Sequence, residues 1–109
     1  MPRFSLLSAP IVAIVVAVFA SPANAAAPVP ARPAKLGLCA ACHGEDGRGR
    51  VAGTPHLAGQ VEAYLIAALS AYRSGRRRAG PMNAVAGSLQ PRDIAALARW
   101  YATRPAGPK

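Results

Sequence analysis

The only two cysteines in 109 residues stand three positions apart, in the run Cys39-Ala40-Ala41-Cys42-His43. No other feature constrains the fold as much. On a helical turn, positions i and i+3 share one face. Both thiols can therefore reach one flat partner, and each can add across one of the two vinyl groups of a haem. The adjacent histidine is then held beneath the iron, where an imidazole nitrogen binds axially. Such a site also needs a second ligand, an oxidising compartment and a pocket, and the remaining sequence has to provide them.

Two cysteines admit other readings. A single disulfide would staple a small secreted domain. A thioredoxin-like pair expects strands alternating with helices, and no strand-like run occurs. Zinc needs about four ligands, and Cys39, Cys42, His43 and His56 are the only good candidates. The haem reading is the strongest, because it uses the histidine as well as the spacing.

Residues 1–25 read as a cleaved secretory signal peptide. Arg3 supplies a positive start, Phe4 to Ala20 is an apolar run, and its uninterrupted part is Ile11 to Ala20. Pro22 breaks the run, and Ala23-Asn24-Ala25 offers small residues to a peptidase, with cleavage expected after Ala25. The competing reading is an uncleaved anchor, for which ten unbroken residues are short against the ~20 of a spanning helix. Export to the bacterial periplasm also suits haem attachment, which takes place outside the cytoplasmic membrane.

The chain carries 13 Lys and Arg against 4 Asp and Glu. Removing residues 1–25 takes away only Arg3, and two ionised haem propionates would leave a net charge of about +6. The remaining 84 residues have a marginal core of their own. A large apolar macrocycle would supply the missing buried surface, so the apo-protein is expected to be weakly folded.

Residues 26–32 read as a flexible leader, 33–104 as one domain and 105–109 as a tail. Three main helices are expected, all-α, wrapped around one haem. The first runs from Pro33 to about Cys42, with Leu36 and Leu38 as its apolar contacts. Gly44 to Arg50 is a charged, glycine-rich loop in water, continued by Val51 to Leu57. The Pro55 carbonyl is the candidate acceptor for the spare ring nitrogen of His43, which an iron-bound histidine normally donates. His56 reads as a solvent-facing loop residue. Gln60 to Ser74 is the second helix, with Val61, Tyr64, Leu65, Ala68, Leu69 and Tyr72 in one stripe and Gly75 as its stop. Arg76-Arg77-Arg78 is the densest charge, read as a solvated turn, a docking patch or a propionate partner. Pro91 opens the last helix, with Asp93 in its first turn and Ile94, Leu97, Ala98 and Tyr101 as its stripe. Trp100 and Tyr101 are expected to pack on the first helix and the ring edge.

Met82 is the one methionine outside the signal and follows Gly80-Pro81 in an expected loop, with a short turn of helix expected over Asn83 to Ser88. A lone methionine usually packs. Here it lies 39 residues after His43 with helices on both sides, and it reads as the sixth iron ligand.

These segments together resemble the class I c-type cytochromes, within them the small monohaem c4/c553-like group. Cys39 to Gly44 with Asp46-Gly47 looks like that family's haem-attachment segment. Pro55-His56-Leu57-Ala58-Gly59-Gln60 resembles its following loop. Tyr64-Leu65 and Tyr72-Arg73-Ser74-Gly75-Arg76 resemble its middle helix and exit. Met82, Leu89, Asp93-Ile94 and Ala96-Leu97-Ala98 resemble its distal ligand and last helix. The resemblance implies an all-α fold, one covalent haem c bound by Cys39 and Cys42, with His43 and Met82 axial to iron, and one-electron transfer rather than catalysis. Lys35 stands where an aromatic often precedes the haem cysteines, and Gln90 where a serine cap is common, so the joint between first and last helices is expected to be looser.

The implied function is an electron carrier between periplasmic or membrane redox proteins, with acidic partners steered by the arginines. The membrane is then met only through membrane-bound partners. A subunit of a dehydrogenase or oxidase is the alternative. A ligand-binding or peroxidatic haem protein, with Met82 unbound, is a further one. Three arginines without a nucleic-acid module do not suggest nucleic acid.

Overall fold

The computed structural model describes residues 1–21 and 28–107. The expected cleavage point after Ala25 lies outside these. Residues 1–21 form no helix or strand and are exposed. No helix among the described residues is long and apolar enough to cross a membrane.

Four helices, and no strands, make up the described fold: α1 (Leu36–His43), α2 (Glu62–Ser74), α3 (Gly80–Gly87) and α4 (Pro91–Ala102). The all-α expectation holds, with one helix more than the three main ones expected. The first helix starts later than expected. Pro33 stays outside it, and its carbonyl accepts the Leu36 N–H at 3.1 Å. Leu36 is fully buried, but Leu38 is half exposed and turns to the cleft described below. The second helix begins at Glu62 because Val61 is extended (ψ 125°) and acts as its N-cap. Val61 therefore leaves the apolar stripe and is exposed.

α4 follows its sequence closely. Pro91 stands in its first turn, and Asp93 Oδ2 accepts the Gln90 N–H at 2.8 Å, so one orphan donor of the helix start is satisfied. Ile94, Leu97, Ala98 and Tyr101 are all buried. They meet Leu65 of α2 and Leu36 and Cys39 of α1 in one core. Burying side chains of the size of Leu36 and Leu97 contributes about 1.5–3 kcal/mol each.

The joint between the starts of α1 and α4 is a charged one. Lys35 Nζ donates to Asp93 Oδ2 at 2.9 Å and to the Ser88 carbonyl at 3.2 Å. A lysine thus occupies the place of the expected aromatic, and it finds its partner in the same Asp93 that serves the α4 start.

The loop after α1 is not simply solvated. Glu45, Asp46, Arg48 and Arg50 are exposed, but Gly44 and Gly47 are buried. Gly47 has φ +78°, and a Cβ there would lie 2.7 Å from Ala58 N and 3.0 Å from Tyr101 Cδ1. Its carbonyl accepts the N–H groups of Leu57 and Ala58 at 2.7 and 3.1 Å. The glycine lets two loops and α4 meet at one point. Trp100 also turns to this loop, donating Nε1–H to the Glu45 carbonyl at 2.9 Å, rather than to the cleft. Tyr101 is the residue of that pair that reaches the cleft.

Candidate haem site

A cleft of about 670 Å³ opens between the helices. That volume is in the range of cofactor pockets. Cys39, Cys42 and His43 bring the end of α1 to it, Pro55 and His56 the long loop, Tyr64 and Leu69 the α2 face, and Met82 and Val85 the α3 face. Tyr64 and Tyr72 belong to the apolar stripe of α2 but line this cleft instead of the protein core. The stripe has two tasks: Leu65, with Leu69 against it, serves both the core and the cavity, while Tyr64, Ala68 and Tyr72 line the cavity.

Both cysteines are free thiols. Cys39 is buried, and burial pushes its thiol up to about 11, whereas Cys42 is exposed. His43 is only 6% exposed. Its Nδ1 lies 2.9 Å from the Pro55 carbonyl. A carbonyl only accepts, so Nδ1 carries the hydrogen, and the lone pair of a neutral ring lies on Nε2. A ring held this way offers Nε2 to a metal.

His56 lies in the loop as expected, exposed, with Nδ1 accepting the Gly49 N–H at 2.9 Å. No group of three or more potential metal-holding His, Cys, Asp or Glu side chains occurs among the described residues. The zinc set of Cys39, Cys42, His43 and His56 is thus not assembled.

Met82 is not in a loop. Gly80 and Pro81 open α3, and Met82 stands in its first turn. Proline is well tolerated at a helix start, where its missing N–H has no helical partner anyway. Beside it Asn83 joins α2 to α3. Its Nδ2 donates to the carbonyls of Tyr72 and Arg77, both at 2.8 Å, and its Oδ1 accepts the Ala79 N–H at 2.9 Å. Sequence reading missed Asn83. The available signal was an asparagine, a good capping residue, two positions after the proline of a Gly-Pro helix start.

The three consecutive arginines separate. Arg77 lines the cleft, donates to the Tyr64 hydroxyl at 3.3 Å and stands 4.8 Å over the Tyr72 ring. Arg78 is exposed, and Arg76 reaches only Ser74 Oγ at 3.2 Å. Tyr101 closes the inner end of the site. Its hydroxyl donates to the buried Gly44 carbonyl at 2.9 Å, next to the haem motif. Burial, with Cys39, Glu45 and Asp46 nearby, pushes that phenol well above its ordinary range.

An apolar cleft with two free thiols, a buried imidazole presenting one nitrogen, and a thioether defines a small α-helical domain built to hold a haem covalently. Residues 34–103 match the family model for cytochrome c. The chain belongs to the cytochrome c family and is a class I c-type cytochrome of the c4/c553 type. It is 41% identical over 73 residues to cytochrome c-554(548) of Halomonas halodenitrificans, covering 64% of this chain and 88% of that one. It is 35% identical over 82 residues to cytochrome c4 of Pseudomonas aeruginosa, covering 75% of this chain and 41% of that one. A protein named thiosulfate dehydrogenase electron acceptor, from Stutzerimonas stutzeri, is 40% identical over 67 residues, covering 59% of this chain and 31% of that one. The chain spans less than half the length of the last two. Its cofactor is covalent haem c, for which Cys39, Cys42 and His43 form the attachment motif, and its activity is electron transfer.

Proposed function

We propose that this chain is a periplasmic, monohaem one-electron carrier whose iron is held by His43 and Met82. The observation that carries the reading is that α1 and α3 bring the buried His43 and the half-buried Met82 to the same apolar cleft. When bound, haem c supplies a ferric/ferrous couple at which one electron enters or leaves. Cys39 and Cys42 hold the ring by thioether bonds. His43 offers Nε2 to the iron, and the Pro55 carbonyl accepts Nδ1–H and makes the imidazole a stronger donor. Met82 offers a soft thioether, which favours the ferrous state and raises the potential. With His43 Nε2 and the Met82 thioether both on the iron, no place would be left there for a substrate, so the domain would carry electrons rather than turn over a substrate. Leu69 and Val85, with the ring of Tyr64 at the edge, would shield the haem from water.

Arg77, of the three arginines, suits a haem propionate, because it alone lines the cleft. Arg76 and Arg78 are left to the surface and suit an acidic patch on a redox partner. Residues 1–25 act as the export signal and are removed. A second reading, an electron-accepting subunit bound to a dehydrogenase, is favoured by the names of the relatives in Stutzerimonas stutzeri and Thiomonas intermedia.

Electron-transfer kinetics with a partner purified from the same periplasm test this function. One reversible one-electron wave is expected, and a second-order rate that falls about tenfold or more from low to physiological ionic strength. A rate indifferent to salt, or peroxide turnover by the haem, would contradict it. Stoichiometric co-purification with a dehydrogenase would favour the subunit reading.

A further inference from the structure

We infer that His56 is a positioning residue for His43, acting through the Pro55 peptide. The inference rests on the axial role proposed above for His43. The Pro55 carbonyl and the His56 N–H belong to one planar peptide unit. Whatever fixes the start of His56 therefore fixes the direction of the carbonyl that meets His43 Nδ1 at 2.9 Å. Proline presets its own φ but leaves ψ, and with it the carbonyl direction, to its surroundings.

Those surroundings form a closed loop. The Arg50 N–H donates to the Cys42 carbonyl at 2.8 Å, which ties one arm to the haem motif. The Thr54 N–H donates to the Val51 carbonyl at 3.0 Å and makes the turn. The His56 ring then closes the loop by accepting the Gly49 N–H through Nδ1 at 2.9 Å. Gly49 lies so close to the Thr54 carbonyl that a Cβ could not be added there without displacing it. Gly49 and the Thr54–His56 arm thus pass close to each other and are joined by one side-chain hydrogen bond. His56 is exposed, so its ring contributes by this bond and not by filling the core.

The electronic consequence has a sign. A well-aimed carbonyl draws the Nδ1 hydrogen and makes the imidazole a stronger donor, which stabilises ferric iron. Losing the closure lets the Pro55 peptide turn and weakens that bond. The potential then rises. An asparagine at position 56 offers Oδ1 at the same branch point as Nδ1 and restores the acceptor. Alanine and phenylalanine do not, and phenylalanine keeps the ring volume.

The test uses the haem-loaded wild type with His56→Ala, His56→Phe and His56→Asn. Two quantities are measured, the reduction potential and the exchange rate of the His43 Nδ1 proton in the ferrous protein by NMR. For His56→Ala and His56→Phe we expect a positive shift in potential and about fivefold faster exchange, the factor equivalent to one typical hydrogen bond. His56→Asn is expected to match the wild type in both. Wild-type values in His56→Ala, or a shift in His56→Asn as large as in His56→Ala, would overturn the inference. Failure of the axial reading is seen separately, in the wild type alone, as His43 ring protons without the large ring-current shift of an iron-bound histidine.

Discussion

The side-chain amide of Asn83 donates to the carbonyl of Tyr72 at 2.8 Å, linking the last turn of α2 to the first turn of α3. The same amide also serves Arg77, and Oδ1 serves Ala79. One side chain thus satisfies backbone groups that both helix termini leave over. Met82 stands next to it, so the position of the proposed ligand depends on this clasp.

Asn83→Ala removes all three bonds at once. At about 1 kcal/mol net for each, the ferric protein is expected to lose about 2–3 kcal/mol. The midpoint of denaturant unfolding measures this. Asn83→Asp keeps only the acceptor and is expected to recover a minor part. A loss below about 0.5 kcal/mol in Asn83→Ala would mean that the clasp does not hold the helices.

Gly47 and Gly75 both have positive φ, of 78° and 80°, but differ in their surroundings. Around Gly75 nothing lies within 4 Å of an added Cβ, whereas at Gly47 the Ala58 backbone and the Tyr101 ring are in the way. Gly75→Ala is expected to cost about 1–2 kcal/mol, the left-handed penalty alone. Gly47→Ala is expected to cost clearly more and to lower the yield of haem-loaded protein, since the loop it locks follows the attachment motif. Equal unfolding midpoints for the two variants would contradict this.

Asp93 links Lys35 to the start of α4, and its carboxyl is held below the usual range by the Gln90 N–H first and by Lys35 second. The unfolded chain then binds this proton more readily than the folded one. The stabilisation is complete above the unfolded value of about 3.9 and is lost as pH falls through the lower folded value. Asp46, held low chiefly by the Arg48 N–H, acts in the same direction. Acid unfolding is expected to begin below about pH 4. Asp93→Asn should flatten the fall in unfolding midpoint over that range, while Asp93→Asn and wild type differ least at the lowest pH. An unchanged acid limb would show that the Lys35–Asp93 joint does not couple to folding.

Much of this was legible in the sequence, and the misreadings have physical causes. α4 declared itself because Pro91, Asp93 and a single stripe all agree on one helix. α2 declared itself too, but a stripe does not say what it faces. Tyr64 and Tyr72 are apolar toward a cofactor cavity, and the same periodicity would serve a protein core. α3 was legible only in part: Asn83 to Ser88 reads as a short turn of helix, but Gly80-Pro81 reads as loop although proline also suits a helix start. Leu36 and Leu38 looked alike, yet two residues on a helix point about 200° apart, so one is buried and the other borders the cleft. The Lys35–Asp93 pair joins residues far apart in the chain, and local pattern carries no trace of it; of the Asn83 clasp, local pattern hints at the bond to Ala79 but not at the one to Tyr72. At the site, Cys39, Cys42 and His43 stood out by spacing, and the nearness of Pro55 to His43 was inferred from the need of an iron-bound imidazole for an acceptor.

The proposed function turns on both axial positions of the haem iron being filled by this chain, at His43 and Met82. The optical spectrum of haem-loaded Met82→Ala, recorded beside the wild type with and without added cyanide, tests it most directly. Ferric wild type is expected to be low-spin, with a methionine–iron charge-transfer band, and to bind cyanide slowly. Met82→Ala is expected to lose that band, gain high-spin character and bind cyanide rapidly. A variant that keeps the wild-type low-spin spectrum and resists cyanide as the wild type does would contradict it.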